Sequence, residues 1–287
     1  MRYLDAADLR NSLPMVAAIE AMVEAFAGDV EFPPRMLLGG SLFMPGRMGG
    51  ISGVKVVSIV PGAPAGIVAV FAEDGAPLGL VDGPTLTAIR TAAGAGLATR
   101  LLAPQGATVM AMLGAGAMAV DQIEAIRTVR AITEVRVWSR SPERAAALAA
   151  RVDAVAVANP SKAVDGADVV TSATPATVPL FVPEAVSPNV HINAVGAFTP
   201  EMVEIPPALV RRSWVVVDDT AAAAAEAGDL IRAGKTPDAT VKDLVSGDRP
   251  AHRPTLFKSV GIASQDVAAA AAALERAERH GYGVMLG

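Results

Sequence analysis

Ala107-Thr108-Val109-Met110-Ala111-Met112-Leu113-Gly114-Ala115-Gly116-Ala117-Met118-Ala119 is the stretch that decides the fold. A run of strand composition passes directly into the pattern G-x-G-x-x-[GA], and behind it Ile123, Ile126 and Val129 recur at helical spacing. Strand, tight turn and helix in that order form a phosphate-gripping βαβ start. Gly114 permits the turn, Gly116 lets a pyrophosphate approach the backbone, and Ala119 lets the helix pack close to the strand. The free N–H groups and positive end of the helix then face the phosphate oxygens. Gly114, Ala115, Gly116, Ala117 and Met118 are therefore expected to hold a dinucleotide. The competing reading is a strand-to-helix turn whose small residues serve packing alone.

Downstream the same alternation continues. Strand-like runs at 107–113, 135–139, 154–158, 168–173, 190–195 and 214–218 are separated by stretches of helical composition. This predicts an α/β fold with a Rossmann-type doubly wound parallel sheet. Ser141-Pro142-Glu143 carries an N-cap, a first-turn proline and an acid in the order of a helix start, and Pro206-Pro207 opens another helix. Upstream, 54–59 and 66–73 read as strands with Asp74-Gly75 as a turn, and Leu86, Ile89, Ala93 and Leu97 mark one face of a helix over 84–103. The alanine-rich segment 265–280 reads as a helix that packs back onto the N-terminal region.

The bulk numbers bound what such a chain can do. At 287 residues it is long enough for two domains of about 100 to 200 residues each. The net charge is −5 with no segregated basic run, so a nucleic acid partner is not expected. Cysteine is absent, which removes disulfides, thiolate metal sites and a cysteine nucleophile, and suits a cytoplasmic protein. The apolar run 109–120 is too short to span a bilayer, and the charged residues Asp5, Asp8 and Arg10 interrupt any signal-like start, so no membrane partner is expected. The three histidines, His191, His252 and His280, stand far apart without ligand spacing, which disfavours a metal centre. His191 reads as a satisfied core residue.

The second strand ends in Trp138-Ser139-Arg140-Ser141, where a dinucleotide domain meets the adenosine ribose. An NAD site places a carboxylate there. Here Ser139, Arg140 and Ser141 offer hydroxyls and a guanidinium that can fork onto a 2′-phosphate, which favours NADP(H) over NAD(H). Ser172-Ala173-Thr174, Val195-Gly196-Ala197 and Asp218-Asp219 lie at strand ends on the edge where open α/β sheets bind ligands, so Ala173 and Thr174 are expected at the cofactor.

Six collinear blocks carry a further signal: Gly53-Val54-Lys55-Val56-Val57, Leu86-Thr87-Ala88-Ile89-Arg90-Thr91-Ala92-Ala93, the Gly114 loop, Ile192-Asn193-Ala194-Val195-Gly196-Ala197, Glu226-Ala227-Gly228-Asp229 and Phe257-Lys258-Ser259-Val260-Gly261. Together they resemble the ornithine cyclodeaminase/mu-crystallin family. The resemblance implies a substrate-binding and dimerisation domain over 1–103, completed by 265–287, and an NAD(P) domain over 104–264. It implies a homodimer, a small imine or amino-acid carboxylate as substrate, and Arg35, Lys55 and Arg90 around the substrate carboxylate. Arg90, Met202 and Ser259 join the expected cofactor contacts. The residues themselves agree in part: Lys55 interrupts an apolar strand, where an ammonium needs a partner or a task.

One departure sharpens the chemistry. Cyclodeaminases and related alanine dehydrogenases carry an aspartate after the Gly-Ala pair, and Phe198 stands there in this chain. No acid lies between Glu31 and Glu73 to hold a distal amine either. The reaction expected is NADPH-dependent reduction of a cyclic ketimine carboxylate of the 1-pyrroline-2-carboxylate or 1-piperideine-2-carboxylate type, with Phe198 at the substrate and Lys55 as proton donor. Two rivals stand beside it. One is an ornithine cyclodeaminase or alanine dehydrogenase-like enzyme in which Asp82 or Glu201 replaces the missing acid, and the other is a crystallin-like protein that binds NADPH without turnover.

Overall fold

Residues 1–60, 65–247 and 253–287 are described in the computed structural model of the chain, so His252 lies outside the described residues. Contacts divide the chain into two compact units, Met1–Ala93 with Ile262–Gly287, and Gly94–Gly261. The sequence placed these divisions at 103/104 and 264/265. The division between Ala93 and Gly94 falls inside a continuous helix, where no break in composition marks it.

The chain begins with β1 (Arg2–Leu4), α1 (Ala6–Ser12), α2 (Met15–Ala27), β2 (Val30–Glu31), β3 (Met36–Leu38), β4 (Ser41–Met48), β5 (Ile51–Ser58), β6 (Gly66–Phe71), β7 (Pro77–Asp82) and α3 (Gly83–Leu102). Next come β8 (Val109–Leu113), α4 (Ala119–Val129), β9 (Glu134–Trp138), α5 (Pro142–Val152), β10 (Val155–Ala156), α6 (Pro160–Val164), β11 (Val169–Ser172), β12 (His191–Ala194), α7 (Pro207–Arg212) and β13 (Trp214–Val217). After these follow α8 (Thr220–Glu226), α9 (Gly228–Ala233), β14 (Ala239–Thr240), α10 (Val241–Ser246), β15 (Thr255–Lys258), α11 (Ala263–His280) and β16 (Val284–Met285).

In the second unit a fully parallel sheet runs β10-β9-β8-β11-β12-β15-β13-β14. Both faces are covered. Met110 and Met112 pack with Ile123, Ile126 and Leu148 on one side, while Ala111 and Leu113 pack with Val170, Ile192 and Leu209 on the other. This two-sided burial is why β8 reads as an unbroken apolar run instead of an alternation. The expected doubly wound parallel sheet is thus present, with two corrections. β15 inserts between β12 and β13, and β14 adds an edge, so six expected strands become eight. β15 escapes a hydropathy reading because Thr255 and Lys258, both buried, break its apolar run.

The first unit is built on a mostly antiparallel sheet in the order β16-β1-β7-β6-β5-β4-β2, with β3 paired to β4. One face lies under α11, as its alanine-rich composition suggested. Added Cβ atoms on Gly46, Gly53 and Gly79 would lie 2.9 Å from Ala263, 3.1 Å from Val267 and 2.5 Å from Leu274 respectively, so glycine in β4, β5 and β7 is what lets the helix lie flat. Ala268, Ala269, Ala270, Ala273 and Ala277 of α11 are themselves buried. On the other face the alternation places Val54, Val56, Ile67, Ala69 and Leu80. Among the described residues no helix is long and apolar enough to cross a membrane.

Candidate active site

In the second unit the Gly114 loop opens onto a crevice of about 390 Å³. The backbone of Gly114 has φ +113°, and a Cβ there would lie 2.7 Å from the Ala173 carbonyl, so both conformation and space require glycine. Gly116 differs. A Cβ on it would meet none of the surrounding protein within 4 Å, so packing does not require glycine there. Gly114, Ala115 and Gly116 form one wall with Ser139, Arg140 and Arg144 nearby, and Ala173 and Thr174 form the other. None of the lining residues is acidic. Arg144, which sequence reasoning did not single out, puts a second guanidinium beside Arg140. Ala117 and Met118 belong instead to the turn entering α4 and do not line the crevice.

Ser141 is a helix cap. Its hydroxyl accepts from the Arg144 N–H at 3.2 Å and donates to Glu143 Oε2 at 2.7 Å, so its bonding capacity is spent locally.

The loops after β11 and β12 are held by one residue absent from the expected site, Glu204. Its Oε1 accepts from the Thr174 N–H at 2.7 Å, the Thr174 hydroxyl at 2.8 Å and the Ser172 hydroxyl; its Oε2 accepts from the Gly196 and Ala197 N–H groups at 2.8 and 2.9 Å. Gly196 has no room for a side chain, since a Cβ would lie 2.1 Å from the Thr174 nitrogen. Glu204 is in turn set by Asp229, whose Oδ1 accepts from the N–H groups of Glu204 and Ile205 at 2.7 and 2.9 Å. Asp229 Oδ2 pairs with Lys258 Nζ at 3.0 Å, and Lys258 also donates to the Ala197 carbonyl. Ser259 donates to Asp218 Oδ2 at 2.7 Å, as do the Val260 and Gly261 N–H groups at 3.0 and 2.8 Å. Met202 packs its backbone against Gly228, where a Cβ would lie 2.1 Å from the Met202 carbonyl. Neither Met202 nor Ser259 lines the crevice. Phe198 is about half exposed, at 49%.

The first unit gathers the cations. Lys55 projects from β5 toward α11, and its Nζ lies 2.8 Å from Asp266 Oδ2. Arg90, on α3, places Nε 3.0 Å from Asp266 Oδ1 and Nη1 3.2 Å from Gln265 Oε1. All three charged groups are buried. Burial drives the Lys55 ammonium down to about 8, Asp266 opposes that shift, and Arg90 and Arg35 add to it. On Asp266, burial acts to raise the carboxyl, but Arg90 and Lys55 outweigh it and hold the group below its ordinary value. Arg35 is half-buried. Lys55 and Arg90 are therefore brought together as expected, with a counter-ion the sequence did not reveal.

Of the acids offered as substitutes for the missing aspartate, Asp82 in the same unit does not join this cluster. Asp82 Oδ1 accepts from the Thr85 N–H at 2.8 Å and caps α3, while Glu201 is exposed on a surface turn. His191 is a core residue: its ring nitrogens lie 2.9 Å from Thr255 Oγ1 and 3.1 Å from Asn193 Oδ1, and burial drives it down to about 3. Among the described residues no group of three His, Cys, Asp or Glu side chains could hold a metal ion.

The model of the ornithine cyclodeaminase/mu-crystallin family matches residues 5–281. The chain belongs to this family. Within it, the chain is 39% identical over 215 residues to the ketimine reductase mu-crystallin of Mus musculus, covering 74% of this chain and 69% of that one. It is 36% identical over 271 residues to a Δ1-pyrroline-2-carboxylate reductase of Bacillus cereus, covering 85% and 83%. In structure it superposes on the Δ1-pyrroline-2-carboxylate reductase of Thermococcus litoralis, solved with NADH and L-proline, with a TM-score of 0.92, 28% identity and 100% of both chains covered.

Proposed function

We propose that this chain is an NAD(P)H-dependent oxidoreductase of carbon–nitrogen bonds that reduces a cyclic ketimine carboxylate, of the 1-pyrroline-2-carboxylate or 1-piperideine-2-carboxylate type, with NADPH preferred to NADH. The observation that carries the reading is the buried Lys55–Asp266–Arg90 cluster, a net positive site with one proton-bearing group. Two cations and one anion suit a monocarboxylate. They do not suit a diamine, since among the described residues of this unit the cluster holds one acid, Asp266, already shared by two cations. Relatives that act on such imines support the substrate class. For the cofactor, the support is the acid-free crevice with Arg140 and Arg144 at its rim, since a guanidinium forks onto a 2′-phosphate and a carboxylate repels it.

In this reading Arg90 and Arg35 clamp the substrate carboxylate and so fix the ring. A nicotinamide held at the Gly114 crevice would supply the hydride that such a reduction needs. Lys55 gives a proton to the imine nitrogen, the carbon–nitrogen double bond becomes single, and the neutral lysine regains its proton from solvent. Gly114, Ala115, Gly116, Ser139, Arg140, Ala173 and Thr174, which line that crevice, would hold the dinucleotide. Glu204 keeps the loop of Thr174 and that of Gly196 in register with each other. The open apolar side of the first unit's sheet, with Val54, Val56, Ile67 and Leu80, suits a second copy, so a homodimer is expected. The cysteine-free composition suits the cytoplasm.

The test is direct. The purified protein is mixed with either imine and NADPH or NADH, and in parallel with ornithine. Consumption of NADPH with an imine, faster than of NADH, is expected. No consumption with either imine together with ammonia release from ornithine would overturn the reading.

A further inference from the structure

We propose that Asp266, on the first turn of α11, is a positioning residue that keeps Lys55 charged as the proton donor and aims Arg90 at the substrate carboxylate; this role rests on the reductase reading above. Asp266 divides its two oxygens between two cations, Oδ2 to Lys55 Nζ at 2.8 Å and Oδ1 to Arg90 Nε at 3.0 Å. One carboxylate thus serves two positive charges in a place where water scarcely reaches, since Lys55 is 4% and Arg90 6% exposed.

The charged groups that face Lys55 come from three elements. Asp266 faces it from α11, Arg90 from α3, and Arg35 from the segment before β3. The two arginines and burial push the proton off the lysine, and Asp266 alone holds it on. Removing that single anion leaves a buried ammonium among cations, a state the site avoids by giving up the proton. A neutral Lys55 cannot protonate an imine nitrogen. The same aspartate orients the guanidinium. With Nε on Asp266 and Nη1 on Gln265 Oε1, the plane of Arg90 is fixed by two acceptors from adjacent residues of one helix turn, and Gln265 is itself oriented by the Ile262 N–H at 3.0 Å. Arg90 therefore presents a fixed edge to an incoming carboxylate.

A mere strap between α11, β5 and α3 would show the same distances, so the test must read the lysine itself. The chain has five lysines, Lys55, Lys162, Lys235, Lys242 and Lys258, few enough to follow individually by NMR with ¹³Cε-labelled lysine. The Lys55 signal is assigned by its loss in Lys55→Met, and wild type, Asp266→Asn and Asp266→Glu are titrated beside pH profiles of kcat/KM. In wild type the Lys55 midpoint is expected at about 8. Losing the neighbouring charge in D266N should lower it by about 1–3 units. Because the protonated lysine is the active form, the high-pH limb of kcat/KM should move down by the same amount, and D266E should restore both. A D266N protein that melts earlier but keeps the wild-type Lys55 midpoint overturns the proposal and leaves a strap. Should D266N fail to fold, Arg90→Met, which removes an opposing cation, must raise the midpoint, and an unchanged midpoint again overturns it. If wild type reduces no imine, the reductase reading falls while the lysine titration still decides whether Asp266 controls Lys55.

Discussion

Among the described residues two buried lysine–aspartate pairs occur, and their surroundings differ. Lys258 and Asp229 in the second unit lie 3.0 Å apart with both side chains fully buried. Both partners are also bonded to the surrounding backbone: Asp229 accepts two N–H groups and Lys258 meets the Ala197 carbonyl. Lys55 and Asp266 in the first unit lie 2.8 Å apart. Here Lys55 meets no second acceptor among the described residues, and its aspartate is shared with Arg90. A pair tied to backbone on both sides acts as a rivet, because substitution of its lysine leaves a buried charge without its counter-ion. The pair without such ties keeps donors free and has its lysine lowered to about 8, within reach of proton exchange near neutrality.

The difference can be broken by exchanging each lysine for a neutral side chain of similar length. The largest effect is expected from Lys55→Met, which should lower kcat/KM for imine reduction by about 10²–10⁴-fold while NADPH still binds by calorimetry. A protein with no turnover in either form and unchanged NADPH affinity would instead mark a binding protein. Lys258→Met should act on stability, by about 3–5 kcal/mol in denaturant titration, because Asp229 is left as a buried uncompensated charge. A K258M protein of wild-type stability that had lost only its rate would reverse the roles assigned to the two pairs. The smallest effect belongs to the rim of the crevice. Arg140→Ala should raise the KM for NADPH about tenfold, the scale of one charge-assisted contact, and leave that for NADH unchanged; equal losses for both cofactors would remove Arg140 from the 2′-phosphate.

How far these features are legible in the sequence follows the same division. The Gly114 loop is written in consecutive residues on one strand, turn and helix, so a local pattern suffices, and the Ser141 cap is equally local. Lys55 announces itself as a charge inside the apolar strand β5. Asp266 does not. It stands in an alanine-rich helix among Ser264, Gln265 and Val267, where an acid reads as an ordinary first-turn residue. Only the packing of α11 onto glycines of β4, β5 and β7 makes it the counter-ion of two distant cations. Glu204 escapes for a related reason, since its five donors come from residues on two other loops. The strand β15 is hidden in the sequence because the buried polar residues at its ends, Thr255 and Lys258, are satisfied by partners far away in sequence, among them His191 and Asp229.

The most direct test of the central claim follows the hydride. NADPH carrying deuterium at the transferring C4 position is supplied with 1-pyrroline-2-carboxylate, and the product is analysed by mass spectrometry and NMR. Proline with a single deuterium on the carbon that bears the carboxylate is the expected product. Unlabelled product, or labelled cofactor left intact while ornithine is deaminated, would contradict it.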